Sequence, residues 1–354
     1  MKKLLFAFAI ISALISFSQK VRIISAASPW YDEQCTHFAV NRKVLEIFVG
    51  DADPVHTPGY FLILKAFTGI PHNIYTFRII SAVSFLISLK LFYLIGTKIK
   101  DEIFGYVLTI AYSYSVYFFN FDWQTRMYSV SLVTILASLL LLEKLGKFAH
   151  RRQLIIFSVV NLLGLYIDYA FFWYLMPLLC LSALNLVHQK NTLLCRQIIV
   201  SILCSFAGFL LLYPEFFTNV YLGLSGIRWT RENMVPAVFL AKFFGGSAGR
   251  FFLLYNISLF LAGIFQIFTS TNPIPRKIIL TALVGSLFAY GYSVLYTPLF
   301  HVRSLQIVGI AIIFALATFQ YHLYRKNPRI YLLSVLPMIT GFLIHVTTDP
   351  FRVL

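Results

Sequence analysis

The sequence has little charge for its length. Charged residues make up only 12% of the 354 residues, whereas 59% are hydrophobic. Soluble domains carry roughly 25% charged residues, and a soluble fold of this size could not bury so much apolar surface. The scarcity of charge therefore excludes an ordinary soluble domain and predicts that lipid is the solvent for most of the chain.

Cysteine is also scarce, and its distribution argues against cross-linked folds. The sequence has four cysteines and no Cys-x-x-Cys pair, so a structural zinc site is not predicted. Only Cys35 lies clearly outside the apolar segments, while Cys180, Cys195 and Cys204 fall in or near them. A disulfide framework is therefore not predicted either.

Long apolar runs are abundant, and they lack the alternating pattern of barrel strands. Because a helical span needs about 20 residues, they predict an all-α, polytopic transmembrane bundle of about nine to twelve spans, forming one domain over residues 1–354. The predicted spans lie near residues 4–18, 77–97, 103–119, 127–142, 154–171, 172–187, 198–213, 252–270, 279–296, 304–321 and 330–347.

Basic residues indicate the orientation of the bundle and account for most of its net charge of +16. They cluster in short loops near residues 2–3, 98–100, 144–152, 190–196, 276–277 and 325–329. The positive-inside rule places these loops in the cytoplasm. Two long loops, 19–76 and 214–251, then lie on the outer, periplasmic side of a plasma (inner) membrane, with juxtamembrane helices in them.

Nucleic acid is not a predicted partner, because no basic stripe with interleaved aromatic residues lies in a soluble region. The first apolar segment has two interpretations. It follows Lys2 and Lys3 and precedes small residues at 25–28, as in a signal peptide, but retention as a membrane anchor is the favoured interpretation. The loop after it stays outside in both cases.

Acidic residues gather in the first outer loop. Five of the 13 in the chain lie there: Asp32, Glu33, Glu46, Asp51 and Asp53. An adjacent Asp-Glu pair just beyond a span can take a proton from an acceptor hydroxyl. The alternative is that the pair stabilises the first turn of a juxtamembrane helix.

Two further features have a functional and a structural interpretation. His56 with Asp51, Asp53 and Glu33 could bind a divalent metal, although the segments Asp53-Pro54 and Thr57-Pro58-Gly59 equally resemble turns. Asp168 lies near the outer end of a predicted span, where an ionisable group faces an internal cavity or sits at the interface.

Four motifs follow one another on the predicted outer side. They are Asp32-Glu33, His56-Thr57-Pro58-Gly59-Tyr60-Phe61, Phe77-Arg78-Ile79-Ile80-Ser81-Ala82 and Gln124-Thr125-Arg126-Met127-Tyr128; a later segment reads Phe300-His301-Val302-Arg303-Ser304-Leu305. In this order they resemble the GT-C glycosyltransferases, in the branch of protein O-mannosyltransferases and aminoarabinose transferases. Thr57, Gln124 and Ser304 depart from the family pattern.

The resemblance implies a GT-C-like fold and an enzyme that uses a polyprenyl-phosphate-linked sugar. A hydroxyl acceptor of the cell envelope (glycolipid, polysaccharide or protein) would displace the lipid phosphate with inversion. Roles for residues of this chain follow from the matching motifs: Asp32 and Glu33 for catalysis, Arg126, Tyr128 and Arg303 for the donor phosphate, and His56, Arg78 and Asp168 for the pocket. No cofactor is implied beyond the possible divalent metal.

Other interpretations remain open at this stage. Arg126 could simply lie at the end of a span with its guanidinium reaching the membrane–water interface, and Tyr128 could belong to the interfacial belt of aromatic residues. A transporter or flippase of lipid-linked sugars is the alternative function, and a catalytically silent scaffold is a third. Transporters of that kind show repeats and broken spans in matching positions, which this sequence lacks.

Overall fold

The computed structural model describes residues 2–53, 56–68, 73–145, 150–187, 192–218, 242–244, 248–270, 273–295 and 305–348. Within these ranges the chain forms helices and turns, without a strand. The helices are α1 (Lys2–Ala26), α2 (Tyr31–Val40), α3 (Val44–Phe48), α4 (Gly59–Lys65), α5 (Ile74–Ile99), α6 (Glu102–Ser113), α7 (Val116–Phe121), α8 (Tyr128–Lys144), α9 (Arg151–Ile167), α10 (Phe172–Val187), α11 (Thr192–Leu212), α12 (Arg250–Thr269), α13 (Pro273–Leu295), α14 (Gln306–Lys326) and α15 (Pro328–Thr348), with a 3₁₀ turn at Tyr169–Phe171.

The described residues of the predicted spans lie mostly on these helices, and the all-α membrane bundle is confirmed. Among the described residues, eight helical segments are long and apolar enough to cross a membrane by themselves. The other three, α6, α8 and α9, have 12, 17 and 17 residues. The sequence predicts one span over residues 103–119, where the structure has two helices, α6 and α7. The chain instead breaks after Ser113, and the side chain of Ser115 caps α7 by accepting from the Phe118 N–H.

Helix α14 occupies the centre of the bundle. It packs against α6, α8, α12, α13 and α15, and 72% of its apolar 18-residue stretch is buried. A small residue permits a further contact of α14, with α7, because a Cβ atom on Gly309 would lie 2.5 Å from the ring of Tyr117. The short helices α2, α3 and α4 are the predicted juxtamembrane helices of the first outer loop.

Distant segments meet at one end of the bundle, here called the site end. Arg78 in the first turns of α5 donates to the Ala27 carbonyl after α1 at 2.7 Å. Gln306 at the start of α14 donates to the Tyr128 carbonyl at the start of α8 at 2.9 Å. The opposite end carries the ion pair of Lys2 with Glu102. The site end therefore contains both the acidic loop and the start of α8.

A fully buried ion pair between Glu33 and Arg78 ties α2 to α5. Arg78 Nε donates to Glu33 Oε1 at 2.9 Å, and its Nη2 donates to Oε2. Glu33 Oε1 also accepts from the Thr125 N–H at 2.7 Å. These hydrogen bonds offset the cost of removing two charges from water. One ion pair thus fixes four segments relative to one another: the end of α1, helix α2, helix α5 and the segment before α8.

Breaking this pair should destabilise the protein. Glu33→Gln and Arg78→Met each leave a buried charge without its partner, which costs about 3–5 kcal/mol. We expect both variants to melt at clearly lower temperature than the wild type in detergent. The control is Lys2→Gln, because the Lys2–Glu102 pair is exposed (59% and 46%) and such pairs contribute little. Wild-type melting of Glu33→Gln would contradict the account.

The orientation of the site end can be tested by thiol labelling. Gln34 is exposed on α2 at the site end, and Asn327 is exposed between α14 and α15 at the opposite end. In a cysteine-free background, we expect Gln34→Cys to react with an impermeant maleimide in right-side-out vesicles, because the positive-inside rule predicts that the basic loops at the opposite end lie in the cytoplasm. Asn327→Cys should react only after detergent is added. The reverse pattern would refute the predicted orientation.

Candidate active site

Arg126 is the centre of a polar cluster at the site end. It lies between α7 and α8, and its side chain is buried. Its Nη1 donates to the Asp32 carbonyl at 3.1 Å and to the Thr36 hydroxyl at 2.9 Å. Its Nη2 lies 2.7 Å from His56 Nε2. Helix α2 and the loop before α4 therefore bind the guanidinium from two directions.

The charge of Arg126 is not neutralised by a close carboxylate. Within the described part of the chain, no carboxylate oxygen lies within 4.0 Å of its guanidinium, and Nε makes no hydrogen bond. The carboxylates of Asp32 and Asp53 act on it only from longer range. A buried cation with neutral hydrogen-bond partners is costly. This arrangement favours the binding of an anion that the described residues do not supply.

Asp32 lies in the first turn of α2, beside Arg126, with its side chain only partly buried. Its carbonyl accepts from Arg126 and also from the Thr36 hydroxyl at 2.9 Å. This backbone link keeps a solvent-accessible carboxylate next to a buried cation. The role of Asp32 as a catalytic base stays a prediction, and the geometry is compatible with it.

Glu33 has different surroundings. Both of its carboxylate oxygens accept hydrogen bonds, from Arg78, from the Thr125 N–H and, at 3.4 Å, from the Trp30 N–H. These contacts favour a positioning role for Glu33 and for Arg78, which was predicted to border the pocket. A catalytic role for Glu33 stays a prediction that none of these contacts supports.

His56 connects the loop before α4 to Arg126. Its Nδ1 lies 3.0 Å from Asp53 Oδ2, and its ring lies 6.4 Å from the Phe61 ring and 6.2 Å from the Tyr169 ring, centre to centre. The structure therefore brings His56, a predicted pocket residue, into direct contact with a predicted phosphate ligand.

Close packing of α4 against the end of α9 makes this contact possible. A Cβ atom on Gly59 would lie 2.3 Å from the Tyr166 carbonyl oxygen, so only glycine fits there. Helix α4 consequently starts beside the last turn of α9. This packing brings the loop that carries His56 close to Asp168.

Asp168 lies at the end of α9 and is 2% exposed. Its Oδ1 accepts from the Ala170 N–H at 2.9 Å, which starts the 3₁₀ turn. The Ser131 hydroxyl lies close enough to interact with its carboxylate. His56 and Arg126 are close enough to interact with it electrostatically. The structure thus places Asp168 with the polar cluster.

Two buried tyrosines border the cluster. Tyr128 begins α8 beside Arg126, and its ring lies 5.6 Å from that of Phe121, inside the bundle. Tyr60 on α4 is also buried, and burial raises the pKa of its hydroxyl well above the usual value. Tyr60 therefore stays protonated, and the Ser81 hydroxyl lies close enough to interact with it.

The predicted metal ligands do not assemble into a metal site. Both ring nitrogens of His56 are engaged, one by Asp53 and the other by Arg126. No group of three histidine, cysteine, aspartate or glutamate side chains in the described ranges could hold an ion. Asp51, Asp53 and His56 therefore do not fit a divalent metal, and metal dependence stays an untested prediction.

Arg303 lies outside the described residues, as do residues 219–241 and 245–247 of the second outer loop. Its role toward the donor phosphate stays a prediction from the resemblance.

Thr36 and Gln306 are site residues that the sequence motifs do not reveal. Thr36 follows Asp32 by four residues, so one helical turn places both on the same side of α2. That spacing could have indicated that Thr36 belongs to the site. Gln306 contacts Tyr128 across 178 residues of chain, and no local pattern predicts such a contact.

The comparisons with known proteins place this geometry in a known fold. No family model matches the sequence, and no curated protein matches it. Among the solved structures that match are ArnT from Cupriavidus metallidurans bound to undecaprenyl phosphate, with a TM-score of 0.60, and the oligosaccharyltransferase of Archaeoglobus fulgidus in complex with zinc and sulfate, with a TM-score of 0.57.

Both likenesses extend over almost the whole chain, 95% and 97% of it, at 11% sequence identity. The chain in turn covers 62% of the ArnT chain and 53% of the oligosaccharyltransferase chain, less than two thirds of each. Both are GT-C glycosyltransferases. The predicted GT-C-like fold is therefore confirmed.

Proposed function

We propose that the chain transfers a monosaccharide from a polyprenyl-phosphate-linked donor to a hydroxyl acceptor at the outer face of the plasma membrane. The observation that carries this proposal is the buried guanidinium of Arg126, which among the described residues has no carboxylate within 4.0 Å and no hydrogen-bond partner at Nε. A planar guanidinium can bind two phosphate oxygens at once. The ArnT structure, which has the same fold and is bound to undecaprenyl phosphate, supports a polyprenyl phosphate as the anion.

The reaction would be a single inverting displacement. The acceptor oxygen forms a bond to the anomeric carbon, while the bond between that carbon and the phosphate oxygen breaks. The electron pair of the broken bond leaves with the lipid phosphate, and the proton of the acceptor passes to the Asp32 carboxylate. Arg126 acts where negative charge develops on the leaving phosphate, which is the type of electrostatic stabilisation that contributes most to rate.

The position of the two groups suits this division of roles. Asp32 and Arg126 are linked through the Asp32 carbonyl, so the base on α2 and the phosphate ligand before α8 lie side by side. Asp32 is partly exposed and can meet an acceptor, whereas Arg126 is buried and can hold a charged headgroup away from water. The sugar and the acceptor class remain open, so glycolipid, polysaccharide and protein acceptors are all to be tested.

Removing the proposed base should abolish most of the transfer. Asp32→Asn keeps the size and the backbone contacts of the side chain but cannot take the proton, so we expect a rate loss of about 10²- to 10⁴-fold. The assay uses purified protein in lipid, a panel of labelled polyprenyl-phosphate sugars and an envelope extract as acceptor.

Glu46→Gln is the matched control, because Glu46 is a partly buried carboxylate of the same loop, on α3. It should transfer sugar like the wild type. Full activity of Asp32→Asn would move the base to another carboxylate. No transfer from any donor by folded wild-type protein would contradict the proposed function and favour a transporter.

A further inference from the structure

The contacts of Arg126 determine which of its N–H groups a ligand can use. A guanidinium has five N–H donors and no acceptor. Both hydrogens of Nη1 are used, by the Asp32 carbonyl and the Thr36 hydroxyl. His56 uses one hydrogen of Nη2. Nε makes no hydrogen bond within the described residues, these contacts leave one hydrogen of Nη2, and the Tyr128 hydroxyl lies close enough to interact with the guanidinium.

The remaining donors belong to neighbouring nitrogens of the guanidinium, because Nε and Nη2 flank one side of the planar group. We call this side the Nε edge. Two donors on one edge match two oxygens of one phosphate group, which is the bidentate geometry that arginine favours. The Nη1 side is closed by α2. The described protein contacts of Arg126 thus leave its buried Nε edge for a ligand.

The protonation of His56 follows from the same contact. Arginine cannot accept a hydrogen bond, so at 2.7 Å from Nη2 the His56 Nε2 atom must be the acceptor. The ring hydrogen then lies on Nδ1, which donates to Asp53 Oδ2 at 3.0 Å. Asp53, His56 and Arg126 form a directed chain in which each group fixes the orientation of the next.

The ring of His56 also has little freedom to turn. It lies edge-on to the Phe61 ring of α4, at an interplanar angle of 87°, and beside the Tyr169 ring after α9. The charged groups near it are Asp53 on its own loop, Arg126 before α8 and Asp168 at the end of α9. His56 is therefore held as a fixed acceptor between three segments of the site end.

We infer that His56, oriented by Asp53, is a positioning residue that turns the Nε edge of Arg126 toward the phosphate of the lipid-linked substrate. This inference rests on the proposed function, because it takes Arg126 as the phosphate ligand. It assigns to His56 neither proton transfer nor metal binding. The side chain acts through Arg126 and needs no contact with the substrate.

The test measures binding of labelled polyprenyl phosphate to purified protein, together with KM for the donor and kcat. His56→Leu removes the acceptor of Nη2. We expect affinity for polyprenyl phosphate to fall about 10- to 100-fold, since a hydrogen bond to a charged group is lost. His56→Gln should restore most of it, because the Gln Oε1 can take the place of Nε2 and accept from Arg126.

Two further variants keep the test decisive. Asp53→Ala frees the ring without removing the acceptor, so its loss of affinity should lie between those of His56→Gln and His56→Leu. It also replaces His56→Leu if that variant does not fold. His150→Gln is the matched control, because His150 is exposed at the end of the bundle opposite the site. It should bind like the wild type.

The outcomes separate the inference from the proposed function. If Arg126→Ala binds polyprenyl phosphate as tightly as the wild type, the proposed phosphate site is wrong. If Arg126→Ala binds weakly while His56→Leu and Asp53→Ala bind normally, only the positioning role is refuted. Loss in His56→Gln equal to that in His56→Leu would also refute it, because the imidazole itself would then be required.

Discussion

The buried ion pair between Glu33 and Arg78 is the interaction on which the site end depends. It joins the end of α1, helix α2, helix α5 and the segment before α8 in one set of hydrogen bonds. Helix α2 can bind Arg126 through the Asp32 carbonyl and the Thr36 hydroxyl only because this pair fixes its position. Scaffold and candidate site are thus built from adjacent residues, Asp32 for the site and Glu33 for the scaffold.

The two buried arginines of the site end differ in a way that separates structure from function. Arg78 is matched by a carboxylate and by backbone carbonyls, so its charge is compensated within the chain. Among the described residues, Arg126 has a carbonyl, a hydroxyl and an imidazole nitrogen as partners, the Tyr128 hydroxyl lies near the guanidinium, and Nε remains unbonded. Burying an uncompensated charge costs free energy, and a ligand phosphate would remove that cost.

The sequence predicts the membrane bundle well, because apolar runs report directly on contact with lipid. It also predicts that Asp32, His56, Arg126 and Asp168 belong to one site, through the order of motifs on one side of the membrane. It does not distinguish Arg78 from Arg126, because the partners of both are distant in sequence. Glu33 lies 45 residues from Arg78, whereas His56 and Asp32 lie 70 and 94 residues from Arg126. It likewise suggests a metal at His56, whose ring nitrogens in fact contact Asp53 and Arg126.

The most direct test of the account is an experimental structure of the protein in lipid with a polyprenyl phosphate bound. The account predicts phosphate oxygens within hydrogen-bond distance of Nε and Nη2 of Arg126, with the His56 contact retained and the Asp32 carboxylate facing the space beside the phosphate. A phosphate bound elsewhere, or a protein carboxylate paired with Arg126 in its presence, would contradict it.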